Sequence, residues 1–242
     1  NSNIPPSVSY HICGRLIHHE DFLKTLATFL TTPTTNKSKH EANNELYKCY
    51  RAVTLSALSL IAAIATQQSA YHGHHNDEDK EGLVGMYQMT QSYATNLITI
   101  IGCSDDDELI ISSLHAATQL TSSAKQQHSS SNEKSINTLI EKGIISALVT
   151  NSNDGVIEPV VSYPESHHVS LYALLASLAQ SKRGRTSLLS SRNANGSLFL
   201  NAMERLLLSD VAVRRAANRD AENDSGDDDV VRVLASVTLL LR

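Results

Sequence analysis

Residues 55–65 read Leu-Ser-Ala-Leu-Ser-Leu-Ile-Ala-Ala-Ile-Ala, and this stretch decides the fold class. Its apolar residues cover more than one side of a helix, so we expect an inner helix that spans residues 45–66. The Ala and Ser residues in its middle are small, which lets a neighbouring helix approach closely. The stretch therefore predicts an all-α protein in which this helix is packed on several sides.

The same Ala/Leu/Ser-rich pattern recurs along the chain. If Ala57, Ala116, Ala173 and Ala235 are equivalent, the intervals are 59, 57 and 62 residues. A near-constant interval of this kind predicts four copies of one helical unit. Each copy begins with a shorter amphipathic helix and continues with an apolar one. The predicted amphipathic helices cover residues 22–30, 94–102, 136–150 and 198–208, and the later apolar segments cover residues 113–120, 171–179 and 233–241.

The third copy carries a family resemblance. Glu141-Lys-Gly-Ile-Ile-Ser-Ala-Leu-Val149 resembles the beginning of an armadillo repeat, in which Gly allows a sharp turn before an apolar helix. Residues 171–189 are similar to the third helix of that repeat and its exit. The resemblance is best over residues 136–242 and implies a right-handed α-solenoid of about four armadillo-like helical repeats. We therefore expect a single domain, 1–242, with approximate repeats at 15–70, 83–125, 134–190 and 197–242.

Two departures from that family limit what the resemblance implies. The interval exceeds the roughly 40–47 residues of armadillo and HEAT units, so each unit must contain an insertion, for which the polar loops are the candidates. Armadillo arrays that bind extended peptides use Trp and Asn on their inner helices, and this chain has no Trp. We therefore do not expect it to bind a nuclear-localisation peptide in that way. Since Arg242 lies inside a helical pattern, we also expect a segment of a longer polypeptide.

The composition argues against several classes of protein. The 242 residues carry a net charge of −5, which gives no general electrostatic attraction for nucleic acid. The longest apolar run, residues 58–65, has polar flanks and is too short to predict membrane insertion. Three widely spaced cysteines without a Cys-x-x-Cys motif favour a reducing compartment, so we expect a cytoplasmic or nuclear protein.

Candidate chemistry is sparse, and the sequence predicts neither an enzyme nor a cofactor. His72, His74 and His75 precede several carboxylates and could bind a divalent metal, but a solvated loop is the main interpretation. We interpret the residues 18–21, His-His-Glu-Asp, as the start of a helix, because carboxylates stabilise a helix N-terminus. Cys13 has only His11 as a nearby base. Cys49 and Cys103 are expected to behave as small buried hydrophobic residues.

The charge distribution is more informative than the net charge. Residues 181–219 carry a net charge of +6, and residues 220–229 carry −6. This pattern is either a solvated helix surface followed by a polar loop, or an arginine-lined patch for an acidic or phosphorylated protein segment. The residues predicted to bind such a partner are Arg183, Arg185, Arg214 and Arg215.

The functional prediction is a non-catalytic scaffold or adaptor that binds a protein segment or a subunit on the solenoid surface. Two alternatives stay open. Short armadillo stacks resemble the nucleotide-exchange cofactors of heat-shock chaperones, and a nucleotide-release assay would distinguish this activity from passive binding. The second alternative is a metal-binding or enzymatic helical domain built around His72, His74 and His75, which metal analysis would detect. The sequence does not predict an oligomeric state.

Overall fold

The computed structural model describes residues 6–30, 43–72, 80–122, 130–150, 165–190, 192–193 and 196–197. Over these residues the chain is all-α, as predicted, apart from a minimal antiparallel pair, β1 (Arg192–Asn193) with β2 (Gly196–Ser197). The predicted fourth repeat, 197–242, lies almost wholly outside the described residues. The nine described helices are α1 (Pro6–Ile17), α2 (Glu20–Thr28), α3 (Asn43–His72), α4 (Lys80–Cys103), α5 (Asp107–Thr121), α6 (Ser130–Glu141), α7 (Ile144–Thr150), α8 (Glu165–Leu178) and α9 (Lys182–Ser190).

The start of α2 agrees with the prediction. His19 is its N-cap, and the His19 Nδ1 accepts a hydrogen bond from the backbone N–H of Phe22 at 3.4 Å. Glu20 and Asp21 occupy the first turn, where their charges interact favourably with the helix dipole. At the other end of α2, the Asn96 side chain of α4 donates to the carbonyls of Ala27 and Leu30. Helix α1, by contrast, was not anticipated from the sequence.

Helix α3 is longer than predicted. It runs from Asn43 to His72, and residues 45–69 are long and apolar enough, by length and composition alone, to cross a membrane. In the structure one side of α3 is buried against other helices, chiefly α5 and α1. Core helices of soluble proteins pass the same test of length and composition, so it is weak evidence for a membrane span.

Helix α5 lies at the centre of the described structure. It contacts α3, α4 and α8, and nine of its fifteen residues are buried. Ala116 and Ala117 are completely buried, which allows close approach of the neighbouring helices. Three of the apolar segments predicted to be equivalent lie in helices α3, α5 and α8. Helix α5 contacts both α3 and α8.

A turn at Gly143 separates α6 from α7. Gly143 has φ of 95°, in the left-handed region that favours glycine. The predicted single helix over residues 136–150 is thus two helices, with the sharp turn located at the expected glycine.

Two glycines of α4 allow close packing of helices. A Cβ at Gly85 would lie within 2.4 Å of Ile17 Cγ2 in α1. At Gly102, a Cβ would lie 3.3 Å from the Cβ of Ala147 in α7. Gly85 therefore sets the distance between α1 and α4, because any larger side chain would force them apart.

Small hydroxyl side chains join buried helix faces. The Ser177 hydroxyl of α8 donates to Thr121 Oγ1 of α5 at 2.7 Å, and Thr121 donates to the carbonyl of Ala117. Between α4 and α6, Thr90 Oγ1 lies 3.2 Å from Ser135 Oγ. Because a buried hydroxyl without a partner is costly, each pair favours one register of its two helices.

Candidate functional site

The described part of the predicted basic patch is the start of α9. Ser181 caps this helix, with its Oγ accepting from the backbone N–H of Gly184 at 2.8 Å. Helix α9 then begins with Lys182, Arg183 and Arg185, all of which are exposed. Two of the four arginines predicted to bind a partner therefore lie within one turn of each other on the surface.

Arg183 contacts a carboxylate of another helix. Its Nη1 lies 2.6 Å from Glu141 Oε1 at the end of α6, and the two side chains are 50% and 58% exposed. Ion pairs this exposed contribute little to stability, since water already solvates both groups. The contact positions Arg183 beside α6 but does not bury its charge.

Arg185 binds the end of the preceding helix. Its Nη1 donates to the carbonyls of Ala179 at 2.8 Å and Gln180 at 3.2 Å. These carbonyls follow α8, where the partial negative charge of the helix C-terminus favours a cation. Arg185 therefore has a structural contact that the sequence did not reveal. Arg214 and Arg215, the other two predicted residues, lie outside the described residues, as does the acidic segment 220–229.

The histidine cluster cannot be assembled from the described residues. His72 is the last residue of α3, whereas His74 and His75 lie outside the described part of the chain. Within that part, no group of three or more His, Cys, Asp or Glu side chains is arranged to hold a metal ion. The metal interpretation of residues 72–75 stays a prediction.

A further polar cluster lies where α3 meets the start of α5, and the sequence analysis did not predict it. Arg51 Nε lies 2.5 Å from Asp106 Oδ2, and Arg51 Nη2 also bonds Glu108. The Tyr47 hydroxyl donates to Asp106 Oδ2 at 3.2 Å. Asp106 additionally caps α5 by accepting from the backbone N–H groups of Glu108 and Leu109.

Electrostatics in this cluster follow from these contacts. Partial burial would raise the pKa of Asp106, but hydrogen bonds from Arg51 and the Leu109 backbone outweigh burial, so the pKa is lowered. The pKa of Arg51 is raised by its hydrogen bonds to Asp106 and Glu108. Burial and the nearby Asp106 charge raise the pKa of Tyr47. Asp106 is thus held ionised, and the cluster works as an electrostatic link between α3 and α5.

A local signal for half of this cluster is present in the sequence. Residues 104–108 read Ser-Asp-Asp-Asp-Glu and precede the apolar residues Leu109 and Ile110, which is a typical helix N-terminus. The other half is not local, since Arg51 and Asp106 are 55 residues apart. No pattern in the sequence pairs them.

The cysteines differ from the prediction. Cys49 and Cys103 are exposed rather than buried. Cys49 lies on the exposed side of α3, and Cys103 is the last residue of α4. Cys13 is half-buried, and burial raises the pKa of its thiol more than the hydrogen bond with Ser9 lowers it. A raised thiol pKa reduces the thiolate fraction of Cys13, and the thiolate is the nucleophilic form.

Comparisons with known proteins give no relative for this chain: no family model matches it, and neither the curated proteins nor the solved structures show a match.

Proposed function

We propose that the chain is a non-catalytic interaction scaffold, an α-solenoid of armadillo-like helical repeats that binds a protein segment on its surface. The observation that supports this proposal is the serial contact of α3, α5 and α8. Helical repeat proteins stack equivalent helices so that each contacts its sequence neighbours in the array.

Hydrogen bonds between these helices have a nearly constant sequence separation. From α3 to the end of α5, Thr66 lies 3.1 Å from Gln119, and the Ser69 hydroxyl donates to the carbonyl of Ser122, each across 53 residues. Between α5 and α8, Ser177 and Thr121 are 56 residues apart. These separations are close to the interval of the Ala/Leu/Ser-rich pattern, as expected for stacked copies of one unit.

We place the partner-binding surface at the basic start of α9. The exposed ion pair of Arg183 with Glu141 is weak, so a ligand carboxylate or phosphate can compete with Glu141 for the guanidinium. Among the described contacts, both bonds from Arg185 to the carbonyls that follow α8 use Nη1, and its Nε and Nη2 donors can bind an anion. The preferred partner is thus a segment with closely spaced carboxylates or a phosphorylated residue.

A peptide array tests this proposal directly. Matched peptides that are neutral, acidic or phosphorylated would be probed with the full chain, and hits quantified by fluorescence polarisation at several salt concentrations. We expect acidic or phosphorylated peptides to bind, and the reversal of Arg183, Arg185, Arg214 and Arg215 to Glu to weaken binding at least about tenfold. Affinity should fall as salt increases.

A charge swap separates recognition from folding. In the double variant Glu141→Arg/Arg183→Glu the ion pair is kept, but the charge at position 183 is reversed. If the patch recognises an anion, the affinity of the double variant for the anionic peptide differs from that of the native chain. The unfolding curves of the two proteins should nevertheless match. Equal peptide affinities for the native chain and the four-residue reversal would refute the proposal that the basic patch binds the peptide. Stimulated nucleotide release from a heat-shock chaperone would instead favour the exchange-cofactor alternative.

A further inference from the structure

The acidic segment, residues 220–229, matches the basic start of α9 in charge. It contains six carboxylates and no basic residue, which gives a net charge of −6, whereas residues 181–219 carry +6. Its last three acidic residues, Asp227, Asp228 and Asp229, are consecutive. Closely spaced carboxylates are the ligand chemistry proposed above for α9, so the chain itself contains a ligand of that kind.

The rest of the chain does not attract this segment. Residues 1–180 contain ten basic and seventeen acidic residues and carry a net charge of −7. Arg51, one of these basic residues, is already held by Asp106 and Glu108. The net field of residues 1–180 therefore repels the acidic segment, whereas residues 181–219 attract it.

The start of α9 has the geometry that a carboxylate needs. Arg183 already binds one carboxylate, because its Nη1 lies 2.6 Å from Glu141 Oε1. Both side chains of this pair are about half exposed, so another anion has access to the guanidinium. Lys182 and Arg185 are exposed in the same turn of α9. A run of carboxylates thus meets three cationic side chains within about one helical turn.

A covalent tether strengthens this contact. Asp220 follows Arg185 by 35 residues in the same chain. Attachment of this kind gives the acidic segment an effective concentration on the order of a millimolar at α9. Exposed ion pairs are individually weak, but a contact with a dissociation constant of about a millimolar is then formed in about half of the molecules.

We propose that the acidic segment binds the basic start of α9 within the same chain and competes there with an anionic partner. This inference rests on the proposed function, because it concerns the same surface. The internal contact reduces the fraction of molecules that are free to bind, so it raises the apparent dissociation constant of the partner in proportion. A partner that binds strongly enough displaces the segment, and the chain thereby sets a threshold of affinity for its ligands.

Two variants of the full chain test the proposal by fluorescence polarisation, with a fluorescein-labelled peptide that carries one phosphoserine followed by two aspartates. The acidic-segment variant is Asp227→Asn/Asp228→Asn/Asp229→Asn, and the control variant is Asp77→Asn/Glu78→Gln/Asp79→Asn. Each raises the net charge of the chain from −5 to −2, so their general electrostatic effects are matched. We expect the acidic-segment variant to bind the peptide about three- to tenfold more tightly than the native chain, and the control variant to bind within about twofold of it.

The salt dependence of this difference is a second prediction. Salt screens the internal contact, so the segment competes less as the salt concentration rises. The ratio between the affinities of the acidic-segment variant and the native chain should therefore fall toward one between about 0.05 and 0.5 M salt. A ratio that stays constant over this range would contradict an electrostatic internal contact.

Zero-length cross-linking tests the contact without any change to the acidic segment. A carbodiimide activates a carboxyl group, which then forms an amide with a nearby lysine amine. In the native chain we expect peptide mass spectrometry to find Lys182 joined to a carboxylate of residues 220–229 within monomeric protein, with a yield that does not depend on protein concentration. Lys182→Arg keeps the charge and should remove this product. A product found only in cross-linked dimers would place the segment on a second copy and would overturn the internal contact.

The peptide affinities also separate this inference from the proposed function. Equal affinities of the native chain and the acidic-segment variant, both weakened by the four-residue reversal of the arginines, would overturn the internal contact and leave the proposed function intact. A peptide that binds neither protein would overturn both. The unfolding curves of all variants are compared as well, and if that of the acidic-segment variant differs from the native curve, the cross-link in the native chain decides.

Discussion

Helices α5 and α3 are both rich in Ala, Leu and Ser, yet their neighbours cover them to different extents. In α5, consecutive residues such as Ala116, Ala117 and Thr118 are all buried, because α3, α4 and α8 surround the helix. In α3, Ile61 is completely buried, whereas the adjacent Leu60 is 41% exposed. Apolar composition thus indicates that a helix packs against something, and the number of neighbours determines how many of its sides do so.

Truncating one leucine in α5 and one in α3 should give the largest difference in the free energy of unfolding. Leu114 of α5 is completely buried, so Leu114→Ala leaves a cavity and is expected to lower the free energy of unfolding by about 2–5 kcal/mol. Leu60→Ala in α3 removes an exposed side chain and should cost less than about 1 kcal/mol at low protein concentration. Urea denaturation of both variants measures these values. Equal costs would show that α5 is not enclosed as described.

Adding a methyl group tests the packing of α1 on α4. In Gly85→Ala the new Cβ would meet Ile17 Cγ2, and we expect a loss of about 1–3 kcal/mol. Gly14→Ala is the matched control, since its Cβ would meet only Gln68 Nε2 at 3.9 Å, and it should be neutral or stabilising. If the contact is responsible, adding Ile17→Ala to Gly85→Ala should give a non-additive free energy.

The Asp106 cluster should give an intermediate effect that can be divided into two parts. Asp106→Ala removes the N-cap of α5 and is expected to cost about 1–2 kcal/mol. Asp106→Asn keeps a good capping side chain but removes the charge that faces Arg51, so its cost should be smaller. Thermal and urea unfolding of the two variants separate the cap from the charge. Identical costs would indicate that the cap contributes nothing.

The same carboxylate predicts a pH dependence of stability. Because the pKa of Asp106 is lower in the folded chain, its charge adds stability that is fully present above the unfolded pKa, about 4. This contribution is lost as the pH falls through the lowered folded pKa. The stability difference between the native chain and Asp106→Asn should therefore be constant at neutral pH and shrink below about pH 4. A difference that did not change with pH would contradict this prediction.

Breaking the exposed ion pair between Glu141 of α6 and Arg183 of α9 should give the smallest change in the free energy of unfolding. Glu141→Gln leaves Arg183 in solvent, and we expect the free energy of unfolding to change by less than about 0.5 kcal/mol. The same substitution should strengthen binding of an anionic peptide, since it removes the competing carboxylate. Calorimetry of unfolding and peptide titration measure the two quantities. A large loss of stability would mean that the pair is structural.

The sequence predicted the fold class because helical periodicity is a local property. The inner helix was placed at residues 45–66, inside the observed Asn43–His72, and the turn between α6 and α7 lies at the expected Gly143. Helix α1 was missed because Pro5-Pro6 and the polar residues that follow hide its apolar stripe. Its position depends on packing against α3 and α4, which is not encoded locally.

The candidate site was predictable only in part. Basic residues at 183 and 185 are visible in the sequence, but their contacts with Glu141 and with the carbonyls after α8 are set by helix packing. The Arg51–Asp106 link joins residues that are far apart in the chain, and the exposure of Cys49 depends on which face of α3 points to the core. Each of these features requires the arrangement of the helices.

The buried ring of Tyr93 makes the core of this protein visible to optical spectroscopy. The chain has no tryptophan, so its near-ultraviolet absorption and intrinsic fluorescence are dominated by tyrosine. Among the tyrosines at positions 47, 50, 87 and 93, Tyr93 is the one that is completely buried, and burial raises the pKa of its hydroxyl. In a spectrophotometric alkaline titration we therefore expect the Tyr93 hydroxyl to ionise at a higher pH than an exposed tyrosine, which gives a label-free signal from the core.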